Sequence, residues 1–196
     1  MNLTELQTEV YAITNRPDLA DRTLSAIRAA TLKIHQSDYF YKDLGETGIQ
    51  FSTADYLQQI EFRTLVPRWR ALSYIRKSDI NQFDSGQLLE VVTPGNIVDS
   101  YNLNRPDVCY VAGSVIQIRS STAFQYAFLG CYINPDITLI GFDSWVALDH
   151  PFAIVYQAAA TIFKSIGKDQ EWQAWTMQAQ EQINLVKISN IEAKGF

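Results

Sequence analysis

The chain has 196 residues, of which 47% are hydrophobic and 19% are charged, a composition typical of a globular fold and unlike that of disordered chains. Its net charge of -5 at pH 7 argues against a general nucleic-acid binder, because phosphate binding depends on a basic surface. The sequence has neither a signal-peptide pattern nor an apolar run of about 18 residues, so we expect no membrane association.

Two amphipathic helices are predicted at the amino-terminal end. Apolar residues recur at helical spacing from Leu3 to Ile13, and Pro17 then breaks the pattern, since proline cannot donate the hydrogen bond of a continuing helix. The first helix is therefore expected to end near Thr14. Pro17 suits the first turn of a second helix that runs to about Gln36.

Strands are predicted from Asp43 onward, where the apolar period changes from about 3.6 toward 2. The first two strands are expected to form a hairpin joined across Pro67, which should lie at a sheet edge or in the turn. A tight turn at Ala112-Gly113 opens an antiparallel meander, whereas residues 87–101 give a mixed pattern. The predicted strands are residues 59–63, 70–76, 108–111, 114–119 and 123–133.

Two further helices are predicted near the carboxyl end. One has Pro151 in its first turn and stops at Gly167, and the next begins near Asp169 and carries apolar residues as far as Val186. Residues 188–196 show no strong pattern and are interpreted as a tail.

These elements predict a single α+β domain spanning residues 1–196. Four amphipathic helices each need an apolar partner, and the nearest partners are one another. We therefore expect residues 1–42 and 143–190 to pack as a four-helix bundle. Residues 43–142 are expected to form an inserted antiparallel β-sheet region.

Charge is distributed unevenly along the chain. A basic stretch is followed, from Asp79 to Asp149, by eight acidic residues against only Arg105 and Arg119. The basic stretch could contact phosphate, form a solvated face or complement an acidic patch on a neighbouring subunit, and the reversal of charge favours the last. Its residues are Arg63, Arg68, Arg70, Arg76 and Lys77.

The sequence carries no recognisable catalytic or metal-binding signature. His35 and His150 are the only histidines, and neither has a second ligand at metal-binding spacing. Cys109 and Cys131 lie in apolar, strand-like segments that are typical of unreactive buried thiols. Neither a Gly-x-Ser-x-Gly elbow nor a phosphate-binding glycine loop is present. We therefore expect a protein that is not an enzyme and needs no cofactor.

Three parts of the sequence resemble the head-tail adaptor, or connector, proteins of tailed bacteriophages. The first is LQTEVYAITNRPDL at 6–19, continuing through AIRAAT at 26–31 and HQSDYF at 35–40. The second consists of the strand segments at 62–63 and 74–76, and the third combines FDSW at 142–145 with 150–151 and AAA at 158–160. Together these stretches span most of the chain.

The resemblance implies a structural virion protein, made in the bacterial host cytoplasm and located in the phage neck. It implies a homo-oligomeric ring of about twelve copies between the portal protein and a downstream tail or neck protein, with DNA passing through the lumen without sequence-specific binding. A carboxy-terminal segment would reach the portal. The matching residues are Ile188, Ile191, Lys194 and Phe196.

Two alternatives remain open from the sequence. One is a stopper or tail-terminator subunit further along the phage neck, which would not bind the portal directly. The other is a small ligand-binding or hydrolytic enzyme that uses Asp143 and His150.

Overall fold

The computed structural model describes residues 1–82, 86–98 and 104–193. The chain divides into two compact units. We call Met1–Asp43 with Asn134–Phe196 the helical unit, and Leu44–Ile133 the sheet unit. In the sequence, the sheet unit lies between the two halves of the helical unit. The β-rich segment predicted at 43–142 extends beyond Ile133, where the sheet unit ends.

The described residues form an α+β structure, which confirms the predicted class. The helices are α1 (Leu3–Thr14), α2 (Ala20–His35), α3 (Phe62–Leu65), α4 (Trp145–Asp149), α5 (Pro151–Ser165) and α6 (Asp169–Ala193). The strands are β1 (Leu44–Glu61), β2 (Trp69–Ser78), β3 (Gln87–Leu88), β4 (Glu90–Val91), β5 (Val108–Ala112) and β6 (Val115–Ile133).

The ends of the first helices follow local rules that the sequence makes visible. Asn2 and Glu5 form a capping box at the start of α1, each side chain accepting from the other residue's backbone N–H. Asn15 takes the left-handed conformation, with φ of 51°, and ends α1 after Thr14 as predicted. The second helix ends at His35, one residue before its predicted end.

The predicted four-helix bundle is wrong, because α5 is a central helix and not one of four equivalent ones. Bundle helices bury a stripe, but α5 buries the consecutive residues 153–155 and 158–160. It contacts α1, α2, α4 and α6. Its run of small residues, Ala158 to Ala160, lets neighbouring helices approach from several sides.

Helix α6 is longer than predicted and includes part of the expected tail. It continues to Ala193, so Ile188 and Ile191 are helical. Asn190 is buried at 4% exposure, and its Oδ1 accepts from the backbone N–H of Tyr41 at 3.0 Å. This tertiary contact fixes the last turns of a helix whose local sequence pattern is weak.

Strand β6 organises the sheet unit. The strand order is β3-β2-β6-β5-β4, and β1 also pairs with β6. The carboxyl half of β6 pairs with β2 and its amino half with β5, both antiparallel. The N–H of Leu89, between β3 and β4, donates to Ile75 of β2 at 2.9 Å, while β4 pairs with β5 in parallel. The result is a nearly closed sheet.

The predicted hairpin of residues 59–63 and 70–76 is wrong. The chain leaves β1 at Glu61 and forms α3, where Phe62 and the following Val66 are buried in the sheet core. Both β1 and β2 pair with β6 instead of with each other. The turn predicted at Ala112-Gly113 is confirmed, since β5 and β6 form an antiparallel hairpin with Gly113 at φ 63°.

Candidate functional site

Helix α6 carries an exposed apolar face near the carboxyl end of the described chain. Met177 is 67% exposed, and Leu185, Ile188 and Ile191 are each 51% exposed. Large aliphatic side chains left half in water cost free energy unless a partner covers them. Ile188 and Ile191 belong to the segment predicted to bind a portal, whereas Lys194 and Phe196 lie outside the described residues.

The opposite face of α6 attaches the helix firmly to its own unit. Ala179, Ile183 and Val186 are buried, and α6 packs on α5. The ring centroids of Trp175 and Tyr156 are 5.1 Å apart. Because one side of α6 is held by packing, the exposed side is presented in one fixed arrangement.

The two tryptophans of α6, Trp172 and Trp175, pack against α5. The ring of Trp172 lies under the Lys164 ammonium group, with Nζ 4.6 Å from its centroid. Trp175 contacts Tyr156, as above. Both rings therefore bind residues of α5.

The five residues of the predicted basic patch do not share one environment. Arg63, in α3, and Arg68, in the following turn, are exposed. Arg76 binds Glu46 at 3.0 Å and stacks over the Tyr74 ring at 5.1 Å. Arg70 is only partly exposed. Of this set, only Arg63 and Arg68 are exposed.

Lys77 is buried, with 4% of its side chain exposed, and contributes no charge to the surface. Its Nζ lies 2.6 Å from Asp107 Oδ1 and also bonds the hydroxyls of Ser120 and Thr122. Burial alone would raise the pKa of Asp107, but hydrogen bonds from Lys77 and Ser121 outweigh it and hold that pKa well below its usual range.

Sequence reasoning missed this cluster, which we call the lysine cluster (Lys77, Asp107, Ser120, Ser121 and Thr122). One local signal was available: Lys77 follows Ile75 by two residues on β2, so both side chains point to the same face of the strand. Ile75 is fully buried. Nothing local indicates that Asp107 is the partner.

A second buried polar group joins distant segments of the helical unit. His35 lies between Asp43, with Nδ1 2.8 Å from Oδ1, and Ser144, with Nε2 2.9 Å from Oγ. Trp145 Nε1 donates to the same Asp43 oxygen at 2.7 Å. We call these four residues the histidine network. Its order of Ser, His and Asp is that of a hydrolase triad.

The histidine network is better explained as a structural tie than as a catalytic triad. Ser144 is 5% exposed and His35 is 1% exposed, so a substrate has no approach to the hydroxyl. Ser144 Oγ also accepts from the N–H of Ala147 at 3.3 Å, which makes it the cap of α4. Burial and capping account for the serine without chemistry.

The residues suggested for an enzyme are not assembled. The N–H of Asp143 donates to Asp136 O at 2.9 Å, and Asp143 is exposed. His150 lies between α4 and α5, with its ring 6.5 Å from that of Trp145. Asp143 and His150 make no hydrogen bond with each other in the described structure.

Both cysteines are buried and free. Burial raises the pKa of Cys109 to about 12 and also raises the pKa of Cys131. A thiol with a raised pKa carries little thiolate at neutral pH and reacts slowly. Their sites are therefore the unreactive ones predicted from the sequence.

Among the described residues, no group of three or more His, Cys, Asp or Glu side chains is placed to hold a metal ion. Within the same ranges, no helix combines the length and apolar character needed to cross a membrane.

No protein-family model matches the chain, and no curated protein matches it.

Proposed function

We propose that this chain is a head-tail adaptor of a tailed bacteriophage, a structural protein of the virion neck. About twelve copies would form a ring between portal and tail, through which DNA passes. Support comes from the sequence resemblance and from the surface of α6. The observation that carries the proposal is the half-exposed pair Ile188 and Ile191 on a helix held rigidly by its other face.

This face has the properties of a protein-binding surface. It combines large aliphatic side chains with a backbone already ordered by the helix, so binding needs little further loss of chain entropy. Asn190 fixes the same turns through Tyr41. In the family that the sequence resembles, the carboxy-terminal segment is the part that reaches the portal.

Arg63 and Arg68 are proposed to contribute to the contact between neighbouring copies. A ring uses heterologous contacts, in which one face of a subunit meets a different face of the next. Two exposed arginines without an acidic neighbour between them in the sequence suit an acidic patch on the adjacent copy. Exposed ion pairs are weak, so this contact would mainly determine how neighbouring copies align and would add little binding affinity.

The direct test is binding to the portal protein of the same virus. The purified chain is mixed with assembled portal, and complexes are separated by size and imaged by electron microscopy. We expect a ring of the chain on one end of the portal. Ile188→Asp with Ile191→Asp should abolish it, because both carboxylates would be desolvated at the contact.

Leu148→Asp is the matched control, because Leu148 is also an exposed apolar residue of the helical unit, at 68% exposure, but lies on α4. It should leave binding unchanged. The chain could instead fail to bind portal but bind a purified tail or an adaptor–portal complex. That result would contradict the adaptor function and favour the stopper or tail-terminator function.

A further inference from the structure

The exposed face of α6 follows the spacing of a coiled-coil seam. Its positions are separated alternately by three and four residues, as in a heptad repeat, and every one of them is exposed. Ala179, Ile183 and Val186 mark the opposite, buried face. The seam consists of Ala174, Met177, Glu181, Asn184, Ile188 and Ile191.

The seam has the same spacing when read from either end. Apolar residues occupy both ends, and Glu181 and Asn184 occupy the centre. Two antiparallel copies therefore bring unlike residues together. Ala174 meets Ile191 of the second copy, Met177 meets Ile188, and Glu181 meets Asn184. The first pair sets a small side chain against a large one, which suits close packing.

The central pair is chemically complementary. Asn184 Oδ1 accepts a hydrogen bond from Gln180 Nε2 at 3.0 Å, which directs the amide nitrogen away from Gln180. That nitrogen is a donor, and the carboxylate of Glu181 on the second copy is an acceptor. The antiparallel arrangement makes this contact twice, once on each side of the two-fold axis.

A parallel arrangement is disfavoured by charge. It would set Glu181 against Glu181 of the second copy, and like charges facing each other at a helix contact are destabilising. Asn184 would face Asn184. In the antiparallel pair Lys187, which flanks the seam, would lie beside the neutral Gln180 of the second copy. Charge therefore favours the antiparallel direction of pairing.

We infer that α6 pairs with α6 of a second copy of this chain, antiparallel, to form a two-fold dimer. The seam covers five turns, or about 27 Å. Such a contact buries less than the roughly 1,200 Å² of a stable interface, so the dimer is weak and depends on concentration. It does not require the proposed portal function. Because it covers Ile188 and Ile191, dimerisation and portal binding through this face exclude each other.

Cysteine cross-linking of the full chain tests the direction of pairing. Ala174→Cys and Ile191→Cys variants are prepared separately, and the native thiols, both buried, stay in place. Mild oxidation of an equal mixture should give a disulfide-linked dimer that joins the two variants. Each variant alone should stay largely monomeric, because its two thiols lie about 25 Å apart in the antiparallel pair.

The opposite pattern, with cross-linking of each variant alone and little in the mixture, would overturn the antiparallel pairing. Equal cross-linking in all three samples would indicate random collision and would overturn it as well. These measurements contain no portal protein. A failure here therefore leaves the proposed function standing, and a failure of portal binding leaves the dimer standing.

A charge variant gives a second test, because it should change the dimer dissociation constant in opposite directions for antiparallel and parallel pairing. Asn184→Lys sets an ammonium group against Glu181 of the second copy in the antiparallel dimer, forming two exposed ion pairs. We expect the dimer dissociation constant, measured by sedimentation equilibrium, to fall about three- to tenfold. In a parallel dimer the same change would set lysine against lysine and raise it.

Loss of apolar contact tests the seam itself. Met177→Gln with Ile188→Gln should abolish dimerisation, whereas Leu148→Gln, an equally exposed change outside the seam, should leave it unchanged. A wild-type chain that stays monomeric at millimolar concentration would overturn the inference.

Discussion

The helical unit buries a carboxylate beneath an imidazole and an indole, whereas the sheet unit buries an ammonium group against a carboxylate and two hydroxyls. In the histidine network, Asp43 Oδ1 accepts from two ring N–H groups, those of His35 and Trp145. In the lysine cluster, both principal partners carry charge. Both clusters join segments far apart in sequence. The sheet unit does so with an ion pair, and removing one of its two charges would leave the other buried without a partner, at a large cost in the free energy of unfolding.

The largest expected effect is therefore in the lysine cluster. Asp107→Asn keeps the side-chain shape and suits the left-handed backbone, where φ is 58°, but leaves Lys77 charged and buried. We expect a loss of about 3–5 kcal/mol in the free energy of unfolding. Urea denaturation measures it, and amide exchange in β5 and β6 locates it.

The double variant Lys77→Met with Asp107→Asn is the matched control. It removes both charges and retains the amide acceptor for the N–H of Ser121, so most of the stability should return. Equal destabilisation by the single and double variants would show that the charge pair is not the cause.

The next effect concerns the central helix of the helical unit. Ala160 is fully buried although it lies off the single stripe expected of a bundle helix. Ala160→Leu should cost about 1–3 kcal/mol by overpacking. Ala174→Leu, on the exposed face of α6, should change stability by less than about 0.5 kcal/mol. Thermal unfolding at low protein concentration compares the stability of the two variants. Equal losses of stability would contradict the burial of α5 on several sides.

A smaller loss is expected from the histidine network. Ser144→Ala removes the cap of α4 and one partner of His35, and should cost about 1–2 kcal/mol. Ser165→Ala, which removes a hydroxyl at the end of α5, serves as the control. Labelling of Ser144 by a fluorophosphonate in the folded protein would contradict the structural interpretation and favour a hydrolase.

The smallest effect is a pH dependence that separates the two clusters. Asp107 has a lowered pKa in the folded state, so its contribution is present above the unfolded pKa of about 3.9 and is lost as pH falls toward the folded pKa. Between pH 5 and pH 3 the wild type should lose about 1 kcal/mol from this group. The Lys77→Met and Asp107→Asn double variant should lack this pH-dependent loss of stability. Measuring the free energy of unfolding of both proteins at both pH values tests this.

Sequence patterns predicted the elements that local rules govern. Asn15 and Pro17 set the boundary of the first helices, and Gly113 sets the β5–β6 turn. The pairing of β1 and β2 with β6 was not accessible, because strand partners depend on contacts between segments about fifty or more residues apart. The arrangement of helices around α5 was missed because an amphipathic pattern predicts one buried stripe, whereas the consecutive residues Ala158 to Ala160 are all buried.

The candidate surface was predicted in part. Ile188 and Ile191 were named from the resemblance, but their helical setting depends on Asn190 and Tyr41, which are far apart in sequence. Lys77 was assigned to a surface patch because charge alone suggests exposure. Its burial depends on Asp107, thirty residues away, which no local pattern identifies.

The long pairing of β1 with β6 is interrupted near its middle. Register shifts separate Gln50, paired with Tyr126, from Leu57, paired with Arg119, and residues 52–57 are exposed. Each half of β1 thus has its own set of ladder hydrogen bonds. A foreign peptide inserted after Ser52 would lengthen an exposed connection without disturbing either ladder, so this position offers a site for displaying a sequence on the folded protein.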